Sequence, residues 1–339
     1  MRRQAKASAS RASLPVSASP DLFAGPWDPR HTAGRSAGNP KMVAMPSSTD
    51  LPLLCPVCSD PLELAGRTAP GQTAPGQRRL VCPSAHSFDA ARQGYFNLLV
   101  GKGTAFEADT AAMVDARVSV LEHGHYQPLA DAVAAAVVPC LSLESAAVLD
   151  SGTGTGHYLR VVLDAAAAQG RGVTAVGLDI SKFALRRAAR LNPEAVNLVW
   201  DVWQPLPLAD RSVDAIMVVF APRNAAEFAR VLRPAGRLVV VTPRPGHLAG
   251  IAGVTGMLGI EEGKEHRLAD AMAGHFVEED ASDVDIPLSL TRQQAADVAF
   301  MGPAGHHLSR TVITGRLAGL PEPLVTDARF RVTLFRPRS

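Results

Sequence analysis

Val148-Leu149-Asp150-Ser151-Gly152-Thr153-Gly154-Thr155-Gly156 is the stretch whose reading decides the fold. An apolar strand candidate runs into a glycine-rich turn, and a helical pattern follows. Glycine lets a backbone adopt positive φ and come close to a ligand, because no Cβ intervenes. The spacing is GxGxG, not the GxGxxG of a dinucleotide site, and that favours a methyl donor over NAD. From this stretch onward apolar segments alternate with helical ones: AAVLD, TAVGLDI, NLVWD, DAIMVVF and RLVVVTP. Such alternation predicts an α/β fold, a Rossmann-like parallel sheet with crossover helices. Beyond residue 250 the signal weakens. A strand around Ile286–Leu290, a helix from Thr291 and a last strand around Arg329–Phe335 complete a mostly parallel sheet of seven strands.

The strand ends carry the candidate site. Asp150, Gly152, Gly154, Thr155 and Gly156 close the first strand; Asp179 ends the second and Asp201 the third. Asp179 is placed to accept both ribose hydroxyls, and Asp201 the amino group of an adenine. One Asp at a strand end is as readily a turn residue. Three such ends in succession share the carboxyl edge of one sheet, where ligands of open α/β folds bind.

Upstream, Cys55-Pro-Val-Cys58 and Cys82-Pro-Ser-Ala-His86 form two close ligand pairs across a long loop. Thiolate and imidazole suit tetrahedral Zn²⁺, and four protein ligands make a structural rather than a catalytic site. A unit this small buries little core, so the metal is expected to supply its folding energy. Cys140, alone in an apolar helix, reads as a core residue. The loop between the pairs contains TAPGQ twice (68–72 and 73–77), which reads as an enlarged hairpin connection. From Ala108 to Val138 the pattern is helical, punctuated by Gly124 and Pro128.

The chain has 339 residues and 47% hydrophobic composition, room for one large α/β domain and a small companion. Residues 1–45 hold seven Lys/Arg against two Asp, which leaves 27 basic and 30 acidic groups beyond them. Any nucleic-acid contact therefore depends on local patches. Residues 1–50 are rich in Ala, Ser, Pro and Arg and are expected to be a disordered extension, with Met42 and Met45 as alternative starts. No apolar run reaches the ~18 residues of a membrane span and no secretory signal is legible. With cysteines in metal-like pairs, a cytoplasmic protein is expected.

Together CPVC…CPSAH, FDAARQGYFNLL, ADTAAMVDAR, GHYQPL, DSGTGTG, LPLADRSVDAI, FAPRN and TPRPGHL resemble the bacterial 23S rRNA (guanine-N1)-methyltransferase family, RlmA. The likeness runs from about Leu54 to the C-terminus. ARQGY, DVW…LPL, FAPRN and MGP bring it closest to the Gram-positive branch that includes tylosin resistance. The resemblance implies a class I methyltransferase fold using S-adenosylmethionine. It implies zinc on Cys55, Cys58, Cys82 and His86, and donor contacts from Tyr126, Gly154–Thr155 and His247. It divides the chain into an extension (1–50), a zinc-binding RNA-recognition module (51–104), a helical linker (105–145) and the methyltransferase domain (146–339). The implied substrate is a guanine of 23S rRNA in the hairpin 35 loop near the peptide exit tunnel. The branch points to guanine 748 rather than 745, with macrolide resistance as the consequence, and a homodimer stays open.

Three departures stand out: Ser151 in the glycine turn, the enlarged zinc loop, and His306 where relatives carry Trp. For the chemistry, Arg223 is a candidate to stabilise charge on guanine O6 and Asn224 to orient the base edge. Arg67, Arg78, Arg79, Arg92 and Lys102 are candidate phosphate contacts. A small-molecule methyltransferase shares the core, and a non-catalytic zinc RNA-binding protein shares the module; the zinc pairs argue against the first and the intact donor residues against the second.

Overall fold

Short strands held by turn residues open the described part of the chain. The computed structural model describes residues 52–338 except 66–77, 102, 258–267 and 269. The expected extension with Met42 and Met45, the TAPGQ repeat, Arg67 and Lys102 lie outside the described residues. Strands β1 (Glu63–Ala65), β2 (Arg79–Val81) and β3 (Ser87–Asp89) form a small antiparallel sheet, followed by β4 (Phe96–Asn97). Ala65 pairs with Arg79, so the repeat connects two antiparallel strands.

Helix α1 (Ala111–Glu122) starts at Thr110, whose Oγ1 accepts from the Met113 amide at 3.3 Å. Gly124, at φ +74°, turns the chain into α2 (Gln127–Val137), which takes Pro128 in its first turn. Residues 105–110, expected as part of a helical linker, are not helical; they form an extended strap ahead of α1.

The main sheet contains β5 (Ala146–Ser151), β6 (Val173–Asp179), β7 (Val196–Val199), β8 (Val213–Val219), β9 (Leu232–Pro243), β10 (Phe276–Leu290) and β11 (Leu324–Pro337). The helices α3 (His157–Ala168), α4 (Lys182–Leu191), α5 (Ala225–Val231) and α6 (Ala249–Thr255) accompany them. Strand order is β10-β11-β9-β8-β5-β6-β7-β4. From β9 to β4 every pair is parallel, and β11 is antiparallel to both its neighbours. β5, β7 and β8 are buried throughout, which is why they read as unbroken apolar runs.

Two departures from expectation have physical causes. Strands β10 and β11 are far longer than expected, registered from Phe276↔Pro337 to Leu290↔Leu324. The added half of β10 is acidic and exposed, so it lacks apolar alternation. Ion pairs hold it instead: Asp283 and Asp285 to Arg244, Asp283 to Arg331 and Glu279 to Arg237.

The second departure is an eighth strand, because the zinc module shares the main sheet. β4 pairs with β7 through Phe96↔Leu198 and Asn97↔Val199. The Leu54 amide donates to Pro207 O at 3.0 Å and the Ala209 amide to Pro52 O at 2.8 Å. Leu53, Leu62, Leu80, Phe96 and Leu98 are buried in one apolar cluster with Leu198, Leu206, Leu208 and Phe228. At about 1.5–3 kcal/mol per buried Leu or Phe, the five contribute on the order of 7–15 kcal/mol, an upper estimate. Even as an upper estimate, that is of the same order as the ~10–16 kcal/mol of a structural zinc. The shared core therefore stabilises the module alongside the metal, contrary to the expectation that the metal does so alone.

Candidate functional site

Each zinc-ligand pair sits on one tight turn. Ser59 N donates to Cys55 O at 2.8 Å and Ala85 N to Cys82 O at 3.0 Å. Ser59 and Ala85, at φ +62° and +64°, swing the chain back so that each pair faces inward. The Sγ atoms of Cys58 and Cys82 lie 3.6 Å apart; His86 Nδ1 is 3.6 Å from Cys55 Sγ and 3.4 Å from Cys82 Sγ. All four ligand atoms fall within 4.8 Å of one another. A zinc tetrahedron has edges of about 3.8 Å between sulfurs and about 3.6 Å from sulfur to nitrogen, given its bond lengths. The residues fit the ion. Asp60, not singled out from sequence, ties the two turns by accepting from Ser84 Oγ at 2.6 Å. Cys140 is elsewhere, half-buried with its thiol on Ala136 O, and burial pushes its pKa up.

The glycine turn follows β5 as expected. Gly152 (φ +82°) and Gly154 (φ +53°) both hold left-handed backbone. A Cβ at Gly152 would overlap that of Ala221, so this glycine lets the loop after β8 close on the turn. At Gly154 the nearest atom to such a Cβ is Arg117 Nη1 at 3.5 Å. There the missing side chain leaves a small cradle beneath a guanidinium. Gly156 N-caps α3, and Thr155 is buried within the turn.

Asp179 anchors this turn. Its Oδ2 accepts from Gly154 N at 2.8 Å and its Oδ1 from Ser181 N at 2.7 Å. Burial raises its pKa, while those two amides oppose the rise. Each oxygen keeps a lone pair for a ribose hydroxyl, so a donor nucleoside fits. Asp150 lies beneath the turn, buried, and accepts from Thr153 Oγ1 at 2.6 Å. Burial pushes its carboxyl up to about 7, against the Thr153 hydrogen bond and with help from the Asp179 charge. Asp150 thus shapes the turn from below. Asp201 is covered too: Thr104 Oγ1 donates to it at 2.8 Å and Trp203 N at 3.0 Å.

The strap brings together residues whose roles the sequence did not assign. Beyond Thr104, Asp109 O accepts from Ser181 Oγ at 3.0 Å, and the Asp109 carboxylate pairs with Arg117 at 2.6 Å. Arg117 also donates to Met301 O at 2.7 Å. His306 Nε2 lies 3.4 Å from Asp109 Oδ1, so the imidazole faces the strap carboxylates rather than acting as a stacking surface. ADTAAMVDAR and MGPAGHH therefore meet over the glycine turn.

An aromatic wall forms the other side. Tyr126, buried, meets Phe330 edge-on at 5.2 Å, and His247 lies 4.8 Å from the same ring. The Arg329 amide donates to His247 Nδ1 at 3.0 Å, which leaves the proton of a neutral ring on Nε2. Burial raises the Tyr126 phenol, keeping it neutral. Phe330, on β11, is the hub that the sequence did not reveal, because it reads only as one more strand residue.

Arg223 and Asn224 follow β8. Arg223 is half-buried, and among the described residues its guanidinium has no hydrogen-bond or ion-pair partner. Burial lowers its pKa accordingly. Asn224 differs from expectation. Its Oδ1 caps α5 at Glu227 N and its Nδ2 donates to Val202 O at 3.0 Å, so both ends serve the fold instead of a base edge. Of the candidate phosphate contacts, Arg79 and Arg92 are exposed, and Arg78 lies over the Phe96 ring at 5.7 Å.

Known proteins match these parts in order. The family described as "RlmA, N-terminal", a zinc ribbon, matches residues 53–101, and "Methyltransferase domain" matches 148–236. A Streptomyces fradiae protein named 23S rRNA (guanine(748)-N(1))-methyltransferase is 40% identical over 286 residues, covering 84% of this chain and 96% of that one. A Micromonospora griseorubida relative with a provisional 23S rRNA (guanine-N1)-methyltransferase name is 42% identical over 300 residues, covering 84% and 97%. A demethylmenaquinone methyltransferase of Tropheryma whipplei is 42% identical over 101 residues, only 27% of this chain and 40% of that one. The small-molecule likeness covers 27% of this chain, whereas the rRNA methyltransferase likeness covers 84% of it. The chain is an S-adenosylmethionine-dependent methyltransferase with a zinc ribbon, and it belongs to the 23S rRNA (guanine-N1)-methyltransferase family.

Proposed function

We propose that this protein methylates N1 of guanine 748 in 23S rRNA, the position in the name of its Streptomyces fradiae relative, and that this guanine is presented in the hairpin 35 loop. The observation that carries the reading is Arg223, a desolvated cation with no partner among the described residues, two residues from the Ala221 that touches the glycine turn. Neutral guanine N1 holds a proton where the methyl must arrive. It reacts as the anion, whose charge is shared with O6. A guanidinium directed at O6 favours that anion, and the proton leaves to water at the mouth.

S-adenosylmethionine supplies, when bound, an electrophilic methyl group on a sulfonium. Asp179 would hold its ribose, Asp201 its adenine edge, and the Gly154–Thr155 turn with Tyr126 and His247 the rest. Arg117, above Gly154, suits the donor carboxylate and would exchange Asp109 for it. Arg79 and Arg92 on the zinc ribbon would contact hairpin phosphates, and the strap would order with the donor. A methyl on that tunnel-wall base would weaken a tylosin-type macrolide. Primer extension on rRNA from cells with and without the gene tests this, since N1 methylation blocks the pairing edge. A gene-dependent stop at guanine 748 is expected; a stop at another guanine, or none, overturns the assignment.

A further inference from the structure

An exposed aromatic residue needs no explanation by itself. Phe220 has three features that do. It stands at φ +57°, a left-handed conformation that a bulky side chain adopts only where its surroundings enforce it. The residue is 45% exposed, yet its ring rests on the buried Phe330 at 5.2 Å and near Tyr158 at 6.5 Å. Finally, it is the first residue after β8, next to the Ala221 that touches the glycine turn and three before Arg223, which has no partner among the described residues.

This strained backbone directs an aromatic face outward at the cleft instead of burying it. The supporting ring, Phe330, also contacts Tyr126 and His247, so the wall beneath Phe220 is the wall of the donor cleft. A base taken out of a loop needs a flat apolar surface for its face and a polar group for its edge. Phe220 and Arg223 are those two groups on one short loop. His306, by contrast, is turned to Asp109.

Resting on the rRNA reading above, we propose that Phe220 is the platform on which the extruded target guanine stacks, its O6 edge toward Arg223. The test uses the full-length protein and an RNA hairpin containing the target guanine. A base–aromatic stack contributes ~1–3 kcal/mol, so Phe220→Leu should lower kcat/KM on the order of 10- to 100-fold. Phe220→Tyr should restore most of it. Donor affinity, read by calorimetry, should stay within twofold for both variants, which also reports that the cleft is folded. With 2-aminopurine in place of the target guanine, wild type should bind the RNA with quenched emission, and Phe220→Leu with raised emission. Unchanged kcat/KM in Phe220→Leu, or donor affinity falling in step with it while emission stays quenched, would overturn the proposal and leave Phe220 as part of the donor wall. Failure of wild type to methylate the hairpin would remove the rRNA reading itself; that failure appears before any variant is made.

Discussion

At the zinc cluster all four ligands come from residues 55–86, in two pairs each closed by one turn. The candidate donor cleft draws Arg117, Gly154, Asp179, His247 and Phe330 from five separate segments. The first arrangement is nearly complete within a few hydrogen bonds. The second exists only when β5, β6, β8, β9 and β11 are in register. The two are nonetheless coupled, since the ribbon's β4 is the edge strand beside β7 and its strap crosses from Asp201 to Ser181. A local site can thus be mechanically part of a distant one.

The largest effect should come from breaking that coupling at its local end. Cys82→Ala should abolish zinc retention and lower Tm by about 10 °C or more, given a structural metal contribution of several kcal/mol. Because ribbon and sheet share one apolar cluster, unfolding should remain a single transition. Calorimetry showing an unshifted main transition beside a lost small one would mean the two regions are independent. Unchanged metal content would refute the ligand assignment.

A test at the other end concerns Asp150. Its carboxyl titrates near 7 when folded, against an ordinary 3.8, chiefly because it is buried. Between those values the folded state keeps a proton that the unfolded state releases. Stability therefore falls as pH rises from about 4 to about 7 and is level above. The full window amounts to at most about 4 kcal/mol. Urea midpoints of the donor-free protein at several pH values should show this slope, and Asp150→Asn should flatten it. An equal slope in the variant would show that the turn tolerates the charge.

Smallest is the effect at the anchor joining two strand ends. Asp179→Ala removes the acceptor for Gly154 N and Ser181 N as well as the proposed ribose contacts. Donor affinity should fall about 10-fold, from losing charge-assisted hydrogen bonds of ~1.5–3 kcal/mol that water partly replaces. Affinity within twofold of wild type would leave Asp179 as a turn tie alone.

Much of this molecule is legible as sequence wherever the determining interactions are short in range. The paired zinc ligands, the GxGxG turn after an apolar strand and the Gly124–Pro128 break all act within a few residues. The apolar runs of β5 and β8 announce burial on both faces by composition alone. The polar half of β10 was not legible, because Arg237, Arg244 and Arg331 stabilise it from strands remote in sequence. Asn224 reads as a base contact until the fold turns it into a helix cap, and Arg223 gains its meaning from burial with no partner among the described residues. Phe220 and Arg117 fall within FAPRN and ADTAAMVDAR, but nothing in those motifs states what their side chains face, and Phe330 reads only as a strand residue. Arg117 reaches Gly154 and Phe220 reaches Phe330 across tens to more than 100 residues, and such adjacency is created only when the strands pair.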